Sequence, residues 1–178
     1  KAQELGVTLF IHPQSTPELA HRFKGNGWLA NVIGNPLDTT IALEKLIFEG
    51  IFDKYPELKI LAAHGGGFLG SYAPRMDRSC FISPQNCNPD IVLKKKPSDY
   101  LRDNFHITCS GMAWHKAIAF TQDVVGEDRV LYAMDYPYQY AIDEVVALDG
   151  MDMNPAAKKK FFQTNAQRLF KIPERNHS

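Results

Sequence analysis

Net charge is the first thing this sequence lacks: 20 basic and 20 acidic residues cancel across 178 positions. That balance argues against nucleic acid or an anionic membrane as a partner held by bulk charge. Long apolar runs are missing too. None approaches the roughly 20 residues that span a bilayer, and there is no signal-peptide pattern. Cysteine is scarce: Cys80, Cys87 and Cys109 are odd in number and contain no C-x-x-C pair. This argues against a disulfide framework or a structural zinc knuckle, and a reducing cytoplasm is the default setting. The six histidines (12, 21, 64, 106, 115 and 177) include no H-x-H pair. The sequence opens on Lys1, with a buried-looking strand close behind, so it reads as a chain that begins mid-domain.

What is present is an alternation of short apolar runs and amphipathic stretches, with 44% hydrophobic residues, enough for one core. Val7 to Ile11 is β-branched and aromatic, hence a strand, and His12-Pro13 ends it. Residues Gln14 to Asn35 read as a long loop in which Trp28 stands out. With an N-cap at Asp38 or Thr39, the apolar positions Ile41, Leu43, Leu46, Ile47 and Ile51 predict a helix to about Phe52. A strand over Leu58 to Ala63 follows, then His64 and three glycines. Phe68 to Cys80 reads as a helix with Arg75, Asp77 and Arg78 exposed or reaching back toward the strand end. Lys94, Lys95 and Lys96 read as a solvated face. Ser98 to Arg102 is a short helix and Phe105 to Cys109 a strand, with His106 structural and Cys109 a small core residue. A helix over Trp114 to Val125 precedes the strand Arg129 to Met134. Helices over Ala141 to Leu148 and Pro155 to Leu169 close the chain.

Strand then helix, repeated, implies a parallel sheet with helices outside it. The residues that end the strands are His12, His64, Ser110 and Asp135, and in a parallel sheet all project from one edge. The stretch K-I-L-A-A-H-G-G-G-F-L-G, Lys59 to Gly70, carries the chemistry best: a buried strand, one ionisable residue, and a turn that brings backbone close to whatever His64 faces. Two histidines and an aspartate on one rim suit a divalent metal such as zinc. The plainer readings stand beside this one, with His12 a strand cap, His64 a satisfied core histidine and Asp135 a turn residue.

In order, "FIHP", "AAHGGGF" and "LYAMDYPY" resemble the C-terminal half of the amidohydrolase superfamily, in its 2-amino-3-carboxymuconate-6-semialdehyde and γ-resorcylate decarboxylase branch. The likeness runs from about Val7 to Ile172, and "FFQTNAQRLFKI" resembles the family's final helix. The resemblance implies an α/β fold of (β/α)8 TIM-barrel type, with this chain, residues 1–178 as a single domain, covering about the last four βα units. It implies that His12 and Asp135 bind a divalent metal, zinc or alternatively manganese, and that His64 and Asp135 are catalytic. Gly67 stands where resorcylate-type members carry a glutamate, which favours the carboxymuconate type of site. The family's strand-one metal ligands have no counterpart in this sequence.

The function so implied is non-oxidative decarboxylation of a small unsaturated or aromatic carboxylic acid, a carbon–carbon lyase reaction. The alternatives are a metal-dependent hydrolase or hydratase of the same superfamily, or a catalytically silent half-barrel. Exposed sheet edges in a half-barrel favour a homo-oligomer.

Overall fold

The computed structural model describes residues 1–14, 16–139 and 141–173. One parallel sheet holds four strands in sequential order: β1 (Thr8–Ile11), β2 (Lys59–Ala62), β3 (Phe105–Thr108) and β4 (Val130–Leu131). A short helix, α1 (Ala2–Leu5), precedes β1. Helices α2 (Asn35–Phe48) and α3 (Ile51–Lys54) connect β1 to β2, and α4 (Leu69–Ile82) and α5 (Pro97–Asn104) connect β2 to β3. Helix α6 (His115–Val125) leads into β4, and α7 (Ile142–Asp149), α8 (Pro155–Lys159) and α9 (Asn165–Phe170) follow it. No described helix is long and apolar enough to cross a membrane.

Side chains alternate across the sheet, and the two faces differ. Ile60, Ala62, Phe105, Ile107 and Val130 point into the helix layer, where they meet Leu43 and Ile47 of α2, Met76 of α4, Leu101 of α5 and Ile118 of α6 in one core. On the opposite face Leu61 and Leu131 pack against Leu169 of α9. Phe10, paired in register with Leu61, is 58% exposed. Sequential strand order with this main helix layer on one side is the arrangement of a β/α barrel rather than of a doubly wound sheet.

The element types match the reading of the sequence, and several boundaries do not. Helix α2 begins at Asn35, not at Asp38, because Pro36 in the first turn needs no N–H partner. Asp38 instead accepts a hydrogen bond from the backbone N–H of Gln14 at 3.0 Å. The stretch expected to be loop contains a 3-10 segment, Pro17–Phe23, and a wide π turn, Ala30–Gly34. β4 stops at Leu131 because the next N–H, on Tyr132, donates to Phe161 O at 2.9 Å. The last expected helix is divided by a π turn over Lys160–Thr164. Beyond it, buried Asn165 donates to the carbonyls of Glu127 and Val130, both at 2.9 Å. Asp77 does not reach back to the strand end. It caps α5 by accepting from the N–H and hydroxyl of Ser98.

Cysteine chemistry needs one correction. Cys80 and Cys87 form a disulfide, with Cα atoms 5.8 Å apart. The chain leaves α4 at Ile82 and reverses through a 3-10 turn at Pro84–Asn86, which returns Cys87 to bridging distance. Cys109 is a free core residue, as expected, and burial pushes its thiol up to about 11.

His106 lies on β3, on the face shared with Leu61 and Leu131, and its Nδ1 is buried without a hydrogen-bond partner among the described residues. Burial, reinforced by the charges of Arg129, Lys59 and Arg168, lowers its pKa to about 4. The unfolded chain therefore takes up a proton near pH 6.5 that the folded chain refuses until about pH 4. Stability conferred by neutral His106 is complete above about pH 6.5 and drains away toward pH 4; with a discount for partial exposure the loss is about 1 to 2 kcal/mol. Urea denaturation between pH 7.5 and 4.5 should show this decline in the parent and a smaller one in His106→Gln. Equal declines in the two proteins would refute the assignment.

Candidate metal centre

The parallel register of β1 and β2 pairs Ile11 with Ala62, and the pairing continues past the strand ends, where Ala63 N donates to Ile11 O at 3.1 Å. His12 follows Ile11 directly, and His64 follows Ala63, one position further on. His12 and His64 meet with Nε2 atoms 3.1 Å apart and ring centroids 5.0 Å apart at 69°. Asp135, carried beyond the end of β4, brings its carboxylate to the same point, so that one ligand atom from each of the three residues lies within 4.8 Å of the others. Two donors bound to one ion at about 2.1 Å stand roughly 3.0 to 3.4 Å apart, so the histidine pair has the spacing of two ligands on one metal.

Backbone conformation sets these side chains as much as strand register does. Only four described non-glycine residues have positive φ, and two of them are His64 (52°) and Asp135 (63°). Holding a side-chain-bearing residue in the left-handed region costs roughly 1 to 2 kcal/mol, a cost that concentrates at functional positions. The glycines after His64 permit the turn. A Cβ on Gly67 (φ +67°) would lie 2.5 Å from Pro36 O and 2.6 Å from Thr40 Oγ1, and one on Gly66 would lie 2.8 Å from Ile107 Cδ1. Thr40 fastens the far end of the turn: its hydroxyl accepts from Phe68 N–H at 2.7 Å and donates to Pro36 O at 2.7 Å.

His64 is held on its other side by the end of β3. Its Nδ1 lies 3.0 Å from Ser110 O, and its backbone N–H donates to Ser110 Oγ at 3.3 Å. Behind Ser110, its hydroxyl and that of Thr108 are 2.9 Å apart. A cavity of about 360 Å³ opens on the helix side of the turn, between α4 and α6, with Gly65, Gly67, Leu101, Met112, Trp114 and Phe120 in its walls. The histidines and Asp135 do not line it.

The four strand-end residues singled out in the sequence, His12, His64, Ser110 and Asp135, are brought together. Arg75 stays exposed on α4, and Trp28, 72% exposed, precedes the π turn that leads into α2. Thr40 and Thr108 escaped the sequence reading. Thr108 had a signal, since it alternates with His106 and Ser110 on one strand face. Thr40 had none, because its role comes from a contact 28 residues away.

Fold and rim together define a β/α-barrel protein whose strand ends gather side chains able to ligate a divalent cation. The sequence matches the amidohydrolase family over residues 1–172, and the chain belongs to that family. The γ-resorcylate decarboxylase of a Polaromonas species is 31% identical over 175 residues, which cover 96% of this chain and 52% of that protein. A 2-amino-3-carboxymuconate-6-semialdehyde decarboxylase of Dictyostelium discoideum is 28% identical over 146 residues, 78% of this chain and 37% of its own length. Among solved structures, 5-carboxyvanillate decarboxylase from Novosphingobium aromaticivorans, complexed with manganese and 4-hydroxy-3-methoxy-5-nitrobenzoic acid, is 42% identical. It superposes with a TM-score of 0.85 over 96% of this chain and 49% of its own. The chain thus spans about half the length of these relatives, and its fold is part of a (β/α)8 barrel.

The turn after His64 makes a direct prediction. Gly67→Ala forces Cβ against a backbone carbonyl in a conformation that already disfavours side chains, and should destabilise the fold by about 2 to 4 kcal/mol. Chemical denaturation reads this. A change under about 0.5 kcal/mol, the range of an inconsequential surface substitution, would show that the turn is not held as described.

Proposed function

We propose that the chain contributes the site of a metal-dependent, non-oxidative decarboxylase acting on a small aromatic or unsaturated carboxylic acid. One observation carries this reading: the His12–His64–Asp135 cluster stands at the strand ends of an amidohydrolase chain that is 42% identical to a manganese-containing 5-carboxyvanillate decarboxylase. In this reading residues 1–178 form a single domain, the C-terminal half of the barrel, and the reaction takes place in the cytoplasm. Self-association of the protein is part of it as well.

His12 and Asp135 hold the divalent ion, and manganese is the better supported choice over zinc because relatives of this chain carry it. Bound there, the ion supplies Lewis acidity that anchors and polarises an anionic substrate. The remaining work falls to the chain. Decarboxylation breaks one C–C bond, leaves its electron pair on the substrate carbon, releases CO2 and requires a proton at that carbon. His64 is the group assigned to deliver it. Because Nδ1 is turned to the Ser110 carbonyl, Nε2 is the atom that faces the reaction volume, takes up a proton from solvent and passes it to that carbon. Asp135 shares the rim and can relay a proton as it binds the ion.

The test uses the complete gene product, loaded with manganese and offered hydroxylated benzoic acids, with CO2 release and product mass as readouts. Decarboxylation is expected. His12→Ala and Asp135→Ala should lose both metal and turnover, while His64→Ala should keep the metal and lose roughly 100- to 10,000-fold in kcat. Water addition without CO2 would move the protein to the hydrolase or hydratase class. Metal binding that survives both ligand substitutions would overturn the site.

A further inference from the structure

Ser110 was visible in the sequence only as another polar strand end, and the proposed chemistry uses its carbonyl alone. Its surroundings are unusual. The residue is 5% exposed and Thr108 is 4% exposed, yet neither hydroxyl lacks a partner. Ser110 meets His64 at both ends of that residue. Its Oγ accepts from the His64 backbone N–H at 3.3 Å, and its carbonyl oxygen lies 3.0 Å from His64 Nδ1, which is also 3.2 Å from Oγ.

The chemistry of these atoms removes most of the freedom. A carbonyl oxygen only accepts, so the nitrogen facing it carries the hydrogen, and the neutral ring is the Nδ1–H tautomer. The Nε2 lone pair then points toward His12 Nε2, 3.1 Å away. Since Nδ1 is a donor, the Ser110 hydroxyl hydrogen goes elsewhere, and the acceptor within reach is Thr108 Oγ1 at 2.9 Å. The run therefore has one direction: His64 N–H to Ser110 Oγ, then Ser110 O–H to Thr108 Oγ1. It clamps the backbone of a residue held at φ 52°.

We propose that Ser110, backed by Thr108, is the positioning residue of His64: its carbonyl selects the Nδ1–H tautomer and its hydroxyl fixes the backbone that aims Nε2 at the reaction volume. This deepens the decarboxylase reading and rests on it for the catalytic consequence, whereas the tautomer stands on geometry alone. Partners of this kind, one step removed from a metal site, are worth roughly 10- to 100-fold when removed.

The experiment compares parent, Ser110→Ala, Ser110→Thr and Thr108→Val in the complete gene product. Steady-state kinetics and metal content are measured with manganese. The ring-nitrogen signals of His64 are recorded by 15N NMR on metal-free protein, which avoids paramagnetic broadening. Expected for Ser110→Ala is a loss of about 10- to 100-fold in kcat, with KM and metal content within about threefold of the parent. The His64 signals should keep the Nδ1–H tautomer, because the backbone carbonyl that selects it is still present, while the backbone of His64 loses its hydroxyl anchor. Ser110→Thr, which restores the hydroxyl, should recover kcat, and Thr108→Val should fall between. Parent-like kcat in Ser110→Ala would overturn the part given to the hydroxyl, and an Nε2–H tautomer in the parent would overturn the part given to the carbonyl. Should His64→Ala prove as active as the parent, the role given to His64 in catalysis fails. The NMR measurement on the parent still decides which tautomer the Ser110 carbonyl selects.

Discussion

The site depends on one constraint above others: the parallel register that sets Ile11 beside Ala62. In a parallel pair, residues just past a register match leave the sheet at the same edge. His12 lies one position beyond the match and His64 two, with Ala63 N–H still reaching Ile11 O between them, and the turn at His64 brings the two Nε2 atoms together. A one-residue slip would turn one of the two histidines to the opposite face. What prevents the slip lies on the other side of the sheet. Ile60, Ala62, Phe105 and Ile107 are locked into the helix-side core, so hydrophobic burial, which has no chemical part in the site, fixes the distance between two imidazoles.

Register alone would leave His64 free to follow the strand. Left-handed backbone at His64 and the glycines behind it turn the chain away at once, and the neighbouring elements hold it there. Thr40 of α2 takes the N–H of Phe68 at one end of the turn, and Ser110 beyond β3 takes the N–H of His64 at the other. Each bond is of ordinary strength, about 1 kcal/mol net. Together they offset the left-handed cost at a position the fold over-determines. Asp135 shows the same logic with less support: it too has positive φ, and the N–H groups of Tyr138 and Gln139 donate to its carbonyl at 2.8 and 2.9 Å.

Residues whose role follows from position along a strand were legible in the sequence. An ionisable residue directly after a short apolar run, such as His64 after Ile60-Leu61-Ala62-Ala63, sits at a strand end whatever the details, and parallel connectivity collects such ends on one edge. Residues whose role follows from contacts across the chain were not legible. Thr40 acts 28 residues away. β4 is short because a carbonyl at Phe161 takes the N–H of Tyr132 before another strand residue can use it. The Cys80–Cys87 bond escaped parity counting because a local chain reversal, not a framework of spaced cysteines, brings the two sulfurs together.

The rim divides its labour among its side chains. In the proposed site Asp135 offers a carboxylate and His12 an imidazole to the ion, while His64 stands beside them for proton transfer. The Nδ1–H tautomer serves that division, because it leaves the Nε2 lone pair free to take up a proton and pass it on.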